Sequence, residues 1–388
     1  MLSLNTTFDE LKLSGIRRFA AMAKETPGCI SLTLGEPDAD TSDEVKAEVP
    51  ADLAAGFTHY PPNNGYDFVR NALSEHMASF GKHYAPQEII LTCGATEALF
   101  VALTSVLNPG DEVIVPTPAF TLYESIITIN RATPVLVDTS DAAFQITDEM
   151  LESAASQHTK AIVITSPNNP TGCILNEESL AAVARFAKER DVFVICDDVY
   201  GQLVYEEGYR SFAAEYPQLR DRVIVCDSFS KPYAMTGWRL GWVAADEFLS
   251  SQMAKVHQYM VSSVPAFVQH AAVRALEKDV APAREVYSAR RDVVLRRLDE
   301  MGLETVRPEG AFYAFPSIRE FGMSSEEFCT RLIKEARVAL VPGVFFGAEG
   351  FVRLSYCCSM EDIVQGLDRL EGFVKHLRLR SQSWEGAL

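Results

Sequence analysis

Lys231 is the residue around which chemistry can be built. It follows the hydroxyls of Ser228 and Ser230 and precedes Arg239, which has Gly237 and Gly241 on its two sides. A lysine amine is a nucleophile only when neutral, and partial burial beside other cations lowers its pKa toward that state. Two hydroxyls and a guanidinium suit a dianion such as a phosphate, which takes up charge-assisted donors. Two further charges stand in apolar surroundings. Asp197 ends the apolar run Val192 to Cys196, and Arg353 lies inside the run Phe351 to Tyr356. Open α/β sheets bind ligands at the carboxyl ends of their strands, which is where such an aspartate falls. A buried arginine needs an anion, since an unpaired charge there is costly. No acidic residue alternates beside Arg353, so a ligand carboxylate is a reasonable partner.

The elements that must position these groups are legible around them. Arg222 to Cys226 and Leu240 to Ala244 are short apolar runs, read as buried strands on either side of Lys231. From residue 87 the rhythm is strand, helix, strand, helix. Strands are expected at 89–91, 113–115, 161–164 and 192–196, and a helix at 94–107. The turn Gly94-Ala95-Thr96 joins a strand to a helix, and small residues there let backbone N–H groups approach an anion. Helices are also expected at 7–25, from Asp67, and from the lysine segment through about Arg297. A strand is expected at 308–316, and a frayed end at 378–388.

The string Ser228-Phe229-Ser230-Lys231, continued by Met235, Gly237, Arg239 and Gly241, resembles the active-site segment of the class I/II aminotransferases. These are fold type I pyridoxal-phosphate enzymes. Taken singly, the other turns read as ordinary turns, but they match the family's order from Gly35 to Arg353. The resemblance implies that Lys231 holds the cofactor aldehyde and shuttles the proton. Ala95, Thr96, Ser228, Ser230 and Arg239 would hold the phosphate, and Phe120 would stack on the pyridine ring. Asp197 would face the ring nitrogen, while Asn169 of the Asn-Pro-Thr-Gly run and Tyr200 would donate to the phenolic oxygen. Gly35 and Arg353 would bind the substrate carboxylate. Tyr60 would reach the phosphate in the partner subunit of a homodimer with shared sites.

The implied fold is α/β. A large domain (43–282) carries a mostly parallel seven-stranded sheet, and a smaller α+β domain is made of 1–42 and 283–388. The implied reaction is ping-pong transfer of an amino group from an L-amino acid to a 2-oxo acid, with 2-oxoglutarate the expected acceptor. Two alternatives stay open. A β-lyase acting on a sulfur amino acid would share these residues, and a pyridoxal-phosphate sensor domain would bind without turnover. The donor itself (aspartate, aromatic or acylated diaminopimelate) is not assigned.

Composition narrows the classes. A net charge of −18 with no basic patch argues against a nucleic-acid partner. No apolar run approaches the roughly 18 residues of a membrane span. The start of the chain is not read as a signal peptide. Eight scattered cysteines without a Cys-x-x-Cys pair read as buried thiols of a cytoplasmic protein, and no metal site is expected.

Overall fold

The computed structural model describes the chain except residues 1, 3, 10, 12 and 386–388. After a two-residue strand β1 (Ile30–Ser31), seven strands build the central sheet: β2 (Ile89–Thr92), β3 (Glu112–Thr117), β4 (Thr133–Asp138), β5 (Thr159–Thr165), β6 (Phe193–Asp197), β7 (Val223–Ser228) and β8 (Gly241–Ala244). Their spatial order is β2-β8-β7-β6-β5-β3-β4. Only β8 runs against its neighbours β2 and β7; the other adjacent pairs are parallel. Parallel strands need crossover connections, so helices cover both faces, and the inner strands are apolar on both sides. Ile162, Val194, Ile195, Ile224 and Val225 are all fully buried.

A second core joins the two ends of the chain. Strands β9 (Tyr313–Ala314), β10 (Val338–Ala339), β11 (Val341–Pro342) and β12 (Val352–Ser355) form a three-stranded antiparallel sheet, β11-β12-β9, and a β1-β10 pair. Phe19 and Leu32 from the start of the chain pack there with Phe312, Leu354, Leu367 and Phe373. This packing sets β12, and with it Arg353, over the carboxyl ends of the large sheet. Among the described residues no helix is long and apolar enough to cross a membrane.

Several expectations need correction. The first helix begins at Gly15, not 7, after a 3₁₀ turn at Thr6–Asp9; Leu13 is 99% exposed, so the apolar spacing there serves no core. The helical stretch after the lysine segment is three helices, Glu247–Val261, Gln269–Leu276 and Ala281–Glu300. The first break holds Ser262 at positive φ and then Pro265, which lacks an N–H to continue the ladder. Of the expected strand at 308–316 only Tyr313–Ala314 pairs as strand. Gly310 turns tightly against Pro167, whose Cγ would lie 2.4 Å from an added Cβ. The tail expected to fray continues the helix Met360–Glu385, anchored by buried Leu370, Phe373 and Leu377; positions 386–388 of that expectation lie outside the described residues.

Candidate active site

Three parallel strands end side by side at the floor of the site. Thr165 of β5 is in register with Asp197 of β6, and Ser228 closes β7 next door. The apolar middles of these strands thus leave Thr165, Asp197 and Ser228 as polar groups at their carboxyl ends. The buried Asp197 carboxylate accepts from the Tyr123 hydroxyl at 2.6 Å and from the Val199 N–H at 3.4 Å. Burial pushes its carboxyl up to about 6, against the downward pull of those two hydrogen bonds. Tyr123 also lies 2.6 Å from the Thr165 hydroxyl, so the residue that holds the acid is itself braced from β5.

Lys231 sits across the same cavity. Its Nζ donates to the Gly35 carbonyl at 2.6 Å. Burial pushes its amine down to about 8; Cys357 and Glu36 oppose this, and Arg353 and Arg239 add to it. Gly35 was expected to offer its N–H to a substrate, and here its carbonyl also receives the lysine. An added Cβ at Gly35 would lie 2.0 Å from the Tyr313 hydroxyl, so only glycine lets the backbone approach.

The end where an anion was expected is built around the start of the helix Gly94–Val106. Gly94 has φ +78, and a Cβ there would lie 2.7 Å from Arg239 Nη2. Arg239 itself has φ 54, a left-handed conformation that turns its guanidinium back to the Thr236 carbonyl (3.0 Å) and the Cys93 carbonyl (3.4 Å). Gly241 is equally constrained, since a Cβ would lie 2.7 Å from the Asp227 carbonyl and 2.8 Å from Gly94 C. Ser228 and Ser230 are buried beside them, with the Ser230 N–H donating to Ser228 Oγ at 3.3 Å.

At the other end Arg353 is 2% exposed and has no carboxylate partner among the described residues. Its guanidinium donates to Asn169 Oδ1 (2.8 Å) and the Thr33 carbonyl (2.6 Å), both neutral, and its Nε is buried without a partner. The Tyr313 and Phe346 rings flank it at 4.6 and 4.9 Å. The Tyr200 hydroxyl lies 2.9 Å from that of Tyr313. With its amide oxygen committed to Arg353, Asn169 presents its NH₂ as the remaining polar group.

All the residues singled out from sequence except Tyr60 line one cavity of about 380 Å³. Tyr60 is 91% exposed and lies outside it. Sequence reasoning missed Tyr123, Thr165, Thr33 and Tyr313. A signal existed for Tyr123, an aromatic three residues after Phe120 at the start of a helix; Thr33 acts through its carbonyl and leaves no trace in residue type.

The sequence profile described as aminotransferase class I and II matches residues 27–370. The chain belongs to that family. Three similar aminotransferases illustrate it. A probable N-acetyl-LL-diaminopimelate aminotransferase of Bacillus subtilis is 43% identical, covering 98% of each chain. An aspartate aminotransferase of Pyrococcus abyssi is 37% identical over 97% of this chain and 100% of that one. The solved aspartate aminotransferase of Thermotoga maritima superposes with a TM-score of 0.92 at 35% identity, covering 96% and 100%. This aminotransferase therefore has the fold type I architecture. Its cavity fits pyridoxal phosphate: an amine biased toward its neutral form, a carboxylate at the floor, and donors gathered where a phosphate needs them.

Proposed function

We propose that this aminotransferase moves the amino group of an L-amino acid to a 2-oxo acid, with 2-oxoglutarate the expected acceptor, in a ping-pong sequence on pyridoxal 5′-phosphate bound at Lys231. The observation that carries the reading is Arg353, a buried cation with neutral partners only, facing the same cavity as an amine pushed down to about 8. Bound pyridoxal phosphate supplies an electron sink for the charge left when the substrate Cα loses its proton.

The chain's own residues do the rest. Arg353 forks onto the substrate α-carboxylate, a planar match that an ammonium cannot make. Lys231 Nζ takes the Cα proton and returns it, the kind of positioned transfer that contributes about 10²–10⁴-fold. Asp197 would keep the ring nitrogen protonated, and Tyr123 fixes that carboxylate. Asn169 and Tyr200 would donate to the phenolic oxygen, and Phe120 would lie against the ring. Ala95 and Thr96 N–H groups, Ser228, Ser230 and Arg239 would hold the phosphate. Gly35 lines the substrate side. Tyr60, exposed and outside its own cavity, serves the site of the partner subunit in a homodimer. The core around the large sheet, made of residues between Val45 and Ala275, supports a division into 43–282 and 1–42 with 283–388. Eight free thiols support a reducing, cytoplasmic setting.

The test is borohydride reduction of protein incubated with pyridoxal phosphate, followed by mass spectrometry. The cofactor should be fixed to the peptide containing Lys231; label elsewhere sinks the reading. A donor screen with 2-oxoglutarate should then yield glutamate and a 2-oxo acid. Pyruvate, ammonia and a thiol from a sulfur amino acid would replace it with a β-lyase.

A further inference from the structure

Beneath the turn Gly94–Thr96 lies a buried histidine–glutamate contact with no part in the chemistry so far. His257, on the helix Glu247–Val261, is fully buried, and Glu97, in the first turn of Gly94–Val106, is 5% exposed. His257 Nδ1 lies 2.7 Å from Glu97 Oε1, and its Nε2 lies 2.8 Å from the Asn63 carbonyl. Both ring nitrogens lie within hydrogen-bond distance of oxygens, so the imidazole bridges the helix start and the loop before it. The second oxygen of Glu97 accepts the N–H of Cys93, whose carbonyl in turn receives Arg239. The Asn63 side chain donates to Ala254 O on the histidine's own helix at 3.2 Å, and Asn63 lies three residues after Tyr60.

We propose that His257 is a positioning residue for the phosphate end of the site. It clamps Glu97 under the Gly94–Thr96 turn and holds the backbone of the loop that carries Tyr60, so one imidazole sets two walls. The proposal rests on the reading of this cavity as a pyridoxal-phosphate site. A polar contact that merely filled the core would not join the turn before Arg239's anchor to the Tyr60 loop. The pair also has an electrostatic task. Without His257, Glu97 keeps only the Cys93 N–H as a partner, within a turn of the place a phosphate dianion must occupy, and a negative charge there would repel it.

The experiment titrates cofactor-free protein with pyridoxal phosphate and, separately, with pyridoxal, which lacks the phosphate. Bound cofactor is read by its visible absorbance. His257→Gln should weaken pyridoxal phosphate by about tenfold and pyridoxal by less than about threefold, in the range of couplings within one polar network. Glu97→Gln keeps an acceptor for Cys93 and should lose a few fold. The double variant should return to the level of Glu97→Gln, because that carboxylate is gone. Equal losses for both ligands, no loss for pyridoxal phosphate, or a double variant as weak as His257→Gln would each overturn the proposal. If His257→Gln does not fold, the double variant is compared with Glu97→Gln alone. Agreement within about threefold supports the proposal, and any larger further loss overturns it. Wild-type protein that binds no pyridoxal phosphate at Lys231 would instead remove the reading on which the proposal rests.

Discussion

Replacing Asp197 by asparagine should stabilise the cofactor-free protein while abolishing its turnover, and the stabilisation should depend on pH with a fixed sign. The Asp197 carboxyl titrates at about 6 in the fold against 3.8 for the ordinary group, burial being the chief cause. Below 3.8 both folded and unfolded chains hold the proton, and the group contributes nothing either way. As pH rises from there, the unfolded chain releases its proton first and gains relative to the fold. Stability is lost progressively until about 6, above which the full cost is present. The gap corresponds to about 3 kcal/mol at neutral pH. Asparagine keeps an oxygen for the Tyr123 hydroxyl and cannot ionise, but its NH₂ is left to find a partner, which costs about 1 kcal/mol or more. The net expectation is a gain of about 1–2 kcal/mol at pH 7 that disappears near pH 4. Urea denaturation of cofactor-free wild type and Asp197→Asn at the two pH values measures it. A variant no more stable at pH 7, or a gain of the same size at pH 4, would show that Asp197 bears no such cost. Loss of turnover in the more stable variant is then the usual exchange between stability and a strained site.

Two further outcomes are expected. Arg353→Met should lower kcat/KM for amino donor and oxo acid alike by roughly 30-fold or more, since truncating one member of a buried charge pair costs about 2–5 kcal/mol. Arg353→Lys should recover only part of this, because it keeps the charge and loses the fork, and unchanged KM for both substrates would make Arg353 structural. For Tyr60, inactive Lys231→Ala and Tyr60→Ala chains refolded together should regain up to about a quarter of wild-type sites if the tyrosine serves the partner, since random pairing makes about half the dimers mixed; no gain over the two variants alone would return Tyr60 to its own chain.

How much of this was legible in sequence depends on where each residue's constraint lies. The inner strands could be read because burial on both faces forces continuous apolar runs such as those ending at Cys196 and Cys226. Strand β4 gave no such signal, since at the sheet edge Thr133, Leu136 and Asp138 are exposed. The residues gathered in the cavity were legible by type, because lysine, arginine and aspartate are conspicuous among apolar neighbours. What they touch was not. Gly35 receives Lys231 through its carbonyl, and Thr33 holds Arg353 through another, so neither acceptor is a side-chain group. Contacts across long separations were equally hidden: Glu97 and His257 are 160 residues apart and meet only through the tertiary fold.

The charges of the site fit together only in relation to what it binds. Burial biases Asp197 and Lys231 each toward its neutral form, one pushed up to about 6 and the other down to about 8. The buried Arg353 guanidinium is surrounded by carbonyl and amide oxygens and by aromatic faces instead. A molecule with a protonatable ring nitrogen near Asp197 and a carboxylate on Arg353 relieves both costs in the same act of binding. The stability given up in the cofactor-free fold is thus available as affinity for ligand, which is why the pH dependence of Asp197→Asn reports on function as well as on folding.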